Sequence, residues 1–402
     1  MRPTIGLACA SATTFAAGVK ATSDTTFHVC TARSHALPLQ IKIGSVHVFL
    51  MGCGLRLDNS SAITDVELVF VARAGRGWAA EDISYGLLHK QPRMDFDVQV
   101  VGAPACALLF AQHAIHASCR GESNATGMVR QASTLTVRLR VGREPWTEIP
   151  VAHTPRDAAP VLQCTATLLF GSNSKHVAEI AARMRRAWDQ LSVRSVSVAF
   201  ASEARLCGQL RSSVPWCDVR KRLLSVEEST RMSEQNLLGG RPPSFVPHYF
   251  EQGPNQQLCL AYGRASRATV VVLTDWDEYP ARDLGLVIQH VVAANLAGAR
   301  LWFDPHPGRY CQQRDYCPRS AKDFEAVCAA RRGHPHWKMI ANPEHMQSLS
   351  VHFSDHASVR DVFGVCLHHH HDVPANFPAI LDPRQIEYVE QGKSGISRRA
   401  RF

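Results

Sequence analysis

Three carboxylates, Asp275, Asp277 and Glu278, follow directly on the apolar run Thr269–Leu273. A short, valine-rich run of this kind suits a strand buried on both faces of a mostly parallel sheet. In open sheets of that class, ligands bind beyond the carboxyl ends of the strands. While the segment stays extended, Asp275 and Asp277 point one way and Trp276 and Glu278 the other. Neighbouring carboxylates repel unless a cation lies between them, and a hard divalent ion that also bridges a diphosphate, Mn²⁺ or Mg²⁺, meets that need. The chemistry implied is a metal–nucleotide-sugar site, with Asp275 and Asp277 as ligands and Trp276 and Glu278 beside the donor. A strand-end turn of solvated acids is the plainer alternative for the same residues.

Positioning such residues takes a folded scaffold, and the composition provides for one. The chain has 402 residues, 45% hydrophobic and 20% charged, which fits a globular protein of two domains and excludes a disordered one. A net charge of +9 suits an anionic partner: a nucleotide, an acidic glycan or a lipid surface. The basic residues carry no nucleic-acid motif, so nucleic acid is not an expected partner. Thirteen cysteines with no Cys-x-x-Cys pair point to an oxidising compartment rather than a zinc ribbon. Cys207/Cys217 and Cys311/Cys317 are spaced to close short loops, and sequons at Asn59 and Asn124 agree with a lumenal location. No apolar run reaches the roughly 18 residues that span a bilayer, so any membrane anchor is expected outside this chain.

Along the chain, residues 1–35 read as a weak signal-like or disordered segment. Period-two alternation, cleanest in Leu135–Val141, predicts an accessory β-sandwich-like domain over 36–150. After the Pro-rich boundary Glu148–Pro160, strand and helix alternate. Leu162–Phe170 is an apolar strand. A helix over 175–191 places Val177, Ile180, Ala181, Met184, Trp188 and Leu191 on one stripe, and the strand Ser195–Phe200 completes a βαβ unit. Further helices are expected near 219–237 and around Pro280, with Pro280 in the first turn of the latter and Leu284, Val287, Ile288 and Val291 on its apolar face, and Leu301–Phe303 reads as a short strand. The fold class is thus α/β: a mostly parallel sheet flanked by helices over 160–385, preceded by the smaller antiparallel β domain and followed by a basic tail over 386–402.

The region from about 160 to 372 resembles glycosyltransferase family 92, formerly a domain of unknown function. The resemblance rests on Val246-Pro-His-Tyr-Phe, on Cys259-Leu-Ala-Tyr262, on Asp275-Trp-Asp-Glu-Tyr279 in place of an Asp-x-Asp-Glu-Phe signature, and on Lys338-Met-Ile-Ala-Asn-Pro-Glu344 followed by Val351-His352. It implies a GT-A-like, metal-dependent, inverting transferase of the Golgi, moving galactose from UDP-galactose to a glycan acceptor, with Mn²⁺ or Mg²⁺ as cofactor. Leu258 stands where the family carries an aspartate, and Phe303–Gly308 departs from the family's Gly-rich loop. Those departures keep a second reading open, a non-catalytic glycan-binding protein on a diverged transferase fold.

His352 lies on the polar side of the alternating stretch Ser348–Ser354, and by resemblance it completes the metal shell. The run His368–His371 is the other histidine source. Lys338 is the candidate to neutralise diphosphate charge. The general base that takes the acceptor's proton is sought among Asp304, Asp315 and Glu325, and Trp302 is a candidate sugar-stacking platform.

Overall fold

The computed structural model describes residues 26–31, 37–58, 63–75, 78, 83–84, 87–88, 91, 93–103, 106–120, 134–169, 181–182, 185, 188–189, 194–235, 243, 246–275, 278–280, 284–304, 337–349 and 358–369. Its first half is strand after strand: β1 (Thr26–Thr31), β2 (Leu39–Ile43), β3 (Val46–Leu57), β4 (Ile63–Ala74), the short ribbon β5 (Ile83–Ser84) and β6 (Leu87–Leu88), then β7 (Phe96–Val100), β8 (Ala107–Phe110), β9 (Ile115–Arg120), β10 (Thr134–Val141) and β11 (Thr147–Arg156). Apart from the ribbon they form one nine-stranded sheet, ordered β7-β10-β11-β1-β3-β4-β9-β8 with β2 beside β3. Every ladder in it is antiparallel. The sheet curls toward a barrel, so that Phe96 on β7 meets Phe70 on β4 edge-to-face at 5.6 Å.

The second half contributes β12 (Val161–Leu169), β13 (Ser195–Ala201), α1 (Ala204–Leu210), β14 (Trp216–Val219), α2 (Val226–Glu234), α3 (Val246–Phe250), α4 (Gln252–Ser266), β15 (Val270–Thr274), β16 (Glu278–Pro280), α5 (Leu284–Ala293), β17 (Gly298–Asp304), β18 (Trp337–Ala341) and β19 (Val359–His369). The sheet order is β14-β13-β12-β15-β18-β17-β19-β16. The βαβ reading holds for its first part, where β14, β13, β12 and β15 are parallel. Among the described residues of the expected 175–191 helix, Ala181 and Trp188 are helical and buried.

Two expectations are overturned. The protein is mostly antiparallel β rather than a mostly parallel α/β sheet flanked by helices: β15 to β18, β18 to β17 and β19 to β16 all run antiparallel. The antiparallel sheet is also the larger of the two. Local periodicity identifies strands, whereas strand direction depends on which distant segments pair. The reversed strands are β18 and β16, whereas β17 and β19 run with β15. Pro280, expected in the first turn of a helix, instead ends β16, and the helix begins at Leu284.

The two sheets are joined through α4, which packs on β3 and β4 on one side and on β12 and β15 on the other. Thirteen of its fifteen residues are buried, so no face of it is left for solvent. Gly54 allows this approach, since a Cβ there would stand 2.6 Å from the Cβ of Ala265. Leu258, the departure from the family pattern, fills the space over Gly52. No helix among the described residues is long and apolar enough to cross a membrane.

Candidate functional site

β15 is buried along its whole length, which suits a strand flanked by β12 and β18 and covered by α4 and α5. Only four residue steps separate its end, Thr274, from Glu278 on β16, yet β16 stands four strands away in the sheet order. A flat sheet would put those strands about 19 Å apart, while four extended residues reach at most about 14 Å. The sheet must therefore curl at this end, and the carboxylate segment is the tie that closes it.

The segment closes as a turn, not as an extended continuation of β15. The backbone N–H of Asp275 donates to Glu278 Oε2 at 2.7 Å, and the N–H of Glu278 donates to the Asp275 carbonyl at 3.3 Å. Asp275 and Glu278, expected on opposite faces, consequently converge. What they converge on is Lys338 of β18, whose Nζ lies 2.8 Å from Asp275 Oδ2 and 3.0 Å from Glu278 Oε1. The side chains of Lys338, Glu278 and Asp275 are 4%, 0% and 18% exposed. Burial by itself would lower the Lys338 pKa, but the charges and hydrogen bonds of the two carboxylates outweigh it and raise it above the ordinary lysine value. The two carboxylates thus favour the charged form of Lys338.

A divalent ion does not fit these described carboxylates as they stand. The oxygens it would take already surround an ammonium, and among the described residues no group of three or more His, Cys, Asp or Glu is placed to hold a metal. Asp277, Trp276, Asp315, Glu325 and His352 lie outside the described residues.

Strand register brings other candidates to the same end of the sheet. Trp302 of β17 is opposite Trp337, and Leu301 is opposite Lys338. Asp304, the last residue of β17, is in register with His368 of β19, which is in turn opposite Tyr279 of β16; His369 is opposite Glu278. Of the three base candidates, Asp304 is the one in a described element. His368 and His369 belong to β19.

Sequence reading missed a buried polar line leading to this end. Ser197 Oγ donates to Gln163 Oε1 at 2.6 Å, and Gln163 Nε2 donates to Thr274 Oγ1 at 3.3 Å, immediately before Asp275. The available signal was Gln163, the one amide side chain in the buried strand β12.

A second polar feature lies beneath an open cleft of about 520 Å³ lined by Leu39, Phe49, Arg73, Lys221, Arg222 and Glu228 among others. Behind it, Glu251 is fully buried and accepts the Leu223 N–H at 2.7 Å. Burial pushes its carboxyl up to about 7 despite that bond and the charges of Arg220 and Arg222. The folded state thus holds this proton more tightly than the unfolded chain. The contribution is fully present below the unfolded value near 4.5 and is lost as pH rises through about 7. Glu251→Gln is expected to abolish that loss, gaining roughly 3 kcal/mol on wild type at pH 8 while matching it near pH 4, as read from urea midpoints at the two pH values.

No family model matches the sequence, and no curated protein matches it. Among solved structures, the chain is similar to mouse xyloside xylosyltransferase 1 in its apo form, at 14% identity and a TM-score of 0.22, over 59% of this chain and 75% of that one. A likeness of that size names a glycosyltransferase as a distant neighbour and carries nothing further about fold or activity.

Proposed function

We propose that the chain is a glycosyltransferase that moves a hexose, galactose by its family 92 resemblance, from a UDP-sugar to a glycan acceptor. The observation that carries this reading is the strand register, which brings Trp302, Asp304 and His368 to the same end of the second sheet as the Asp275–Glu278–Lys338 triad. In the proposed reaction, Asp304 takes the proton of the acceptor hydroxyl. The hydroxyl oxygen bonds to the anomeric carbon as the bond to the UDP oxygen breaks, in one inverting displacement. Trp302 is the proposed platform for the sugar. Lys338 already engages both described carboxylates, so this displacement draws on no metal held by them. Four disulfides among the described residues support a secretory, Golgi-lumen location: Cys30–Cys53, Cys106–Cys119, Cys164–Cys259 and Cys207–Cys217.

The test is calorimetric titration of UDP into the folded protein, with Mn²⁺ and with EDTA, followed by turnover of UDP-galactose. UDP binding together with a kcat about 10²–10⁴-fold lower in Asp304→Asn, at unchanged UDP affinity, is the expected result. Absence of UDP binding in both conditions would overturn it. The second reading, a glycan-binding protein without transferase activity, is favoured by one observation: the internal cation leaves Asp275 and Glu278 no need of an external one. It predicts glycan binding without UDP binding.

A further inference from the structure

We propose that Lys338 is a built-in counter-cation for the Asp275–Glu278 turn, occupying the place a divalent ion would otherwise take, so that the turn is formed without metal. The inference stands on the triad and not on the sugar-transfer reading.

Two carboxylate oxygens from residues three apart lie 2.8 and 3.0 Å from one nitrogen, with Glu278 fully buried. Without a cation between them they would repel in a poorly solvated place. A divalent ion satisfying both would sit about 2.0–2.6 Å from each oxygen, in the space Nζ fills, so ammonium and ion exclude each other. The ammonium arrives from β18, which pairs with β15. One side chain therefore fixes the tie between β15 and β16 across the curl. The chain carries its cation covalently, where a metal site would depend on the ion supplied.

Removing the ammonium should therefore turn the pair into a divalent-ion site. The experiment is thermal unfolding of the full chain in millimolar MnCl₂, millimolar MgCl₂ or EDTA. Wild type is expected to show the same Tm in all three. Lys338→Met is expected to melt lower in EDTA and to recover about half or more of the lost Tm in Mn²⁺, by preferential binding of the ion to the folded state. Lys338→Met/Asp275→Asn should show no such recovery, nor should Val272→Ala, which weakens the neighbouring core without touching the charges. A Lys338→Met protein that folds but gains nothing from either ion would overturn the proposal. So would a wild-type Tm raised by Mn²⁺ and lowered by EDTA, with that dependence lost in Asp275→Asn. The wild-type and Asp275→Asn arms decide the matter even if Lys338→Met does not fold, and either result leaves UDP binding to be judged separately.

Discussion

Cys164→Ala/Cys259→Ala is expected to lose about 4–5 kcal/mol of stability, the largest effect of any single crosslink in the described structure, because the bond closes a loop of 95 residues. Cys164 lies on β12 and Cys259 on α4, both fully buried. The bond thus ties the second sheet to the helix on which both sheets pack. In the unfolded chain the same bond restricts everything from β12 through α4, and releasing that restriction favours unfolding. Cys207–Cys217, with a separation of 10, is the internal control: its double-alanine variant should lose about 3 kcal/mol or less. Urea denaturation of both variants measures the difference. Equal losses would show that loop closure is not what the Cys164–Cys259 bond contributes.

Arg264→Met is expected to cost about 3–5 kcal/mol, because it strands a buried carboxylate. Arg264 sits in the last turn of α4 and donates from Nε to Glu67 of β4 at 3.0 Å, from Nη2 to His116 Nδ1 of β9 at 3.0 Å and from Nη1 to the Met346 carbonyl at 3.2 Å. It therefore bridges the first sheet, the central helix and the segment after β18. An arginine can only donate, so Nδ1 of His116 accepts, leaving Nε2–H to donate to Gln257 Oε1 at 3.0 Å. Burial, with the Arg264 charge adding to it, holds His116 down to about 3, so it stays neutral. Removing the guanidinium leaves Glu67, 4% exposed, a buried carboxylate whose Oε1 accepts from Ser118 Oγ. The double variant Arg264→Met/Glu67→Gln should recover a large share of the loss, since the stranded charge goes too. Additive losses in that cycle would argue that packing, not charge, dominates the site.

Much of the second half was readable from residues alone. Valine-rich β15, the apolar stripe on α5 and the β12–β13 unit all follow from side-chain periodicity, and the Cys207/Cys217 spacing allowed the bond that forms. Each of these depends on contacts within a few tens of residues. The reversed direction of β18 and β16 does not, and there the expectation of a parallel sheet failed. Nor did alternation in the first half reveal that β3 and β4 are covered on both faces, because the covering helix lies some two hundred residues downstream.

At the candidate site the same division holds. Residue type alone pointed to a cation at this carboxylate cluster, with Asp275 and Asp277 as the expected pair; that Glu278 joins Asp275 around it follows from the turn. Which cation answers that need was decided by tertiary structure. Lys338 is 63 residues beyond Asp275 in the chain and reaches it only because β18 pairs antiparallel with β15 and the sheet curls to return β16 alongside. A charge requirement is local chemistry, whereas its partner is supplied by whichever strand the fold lays next to it.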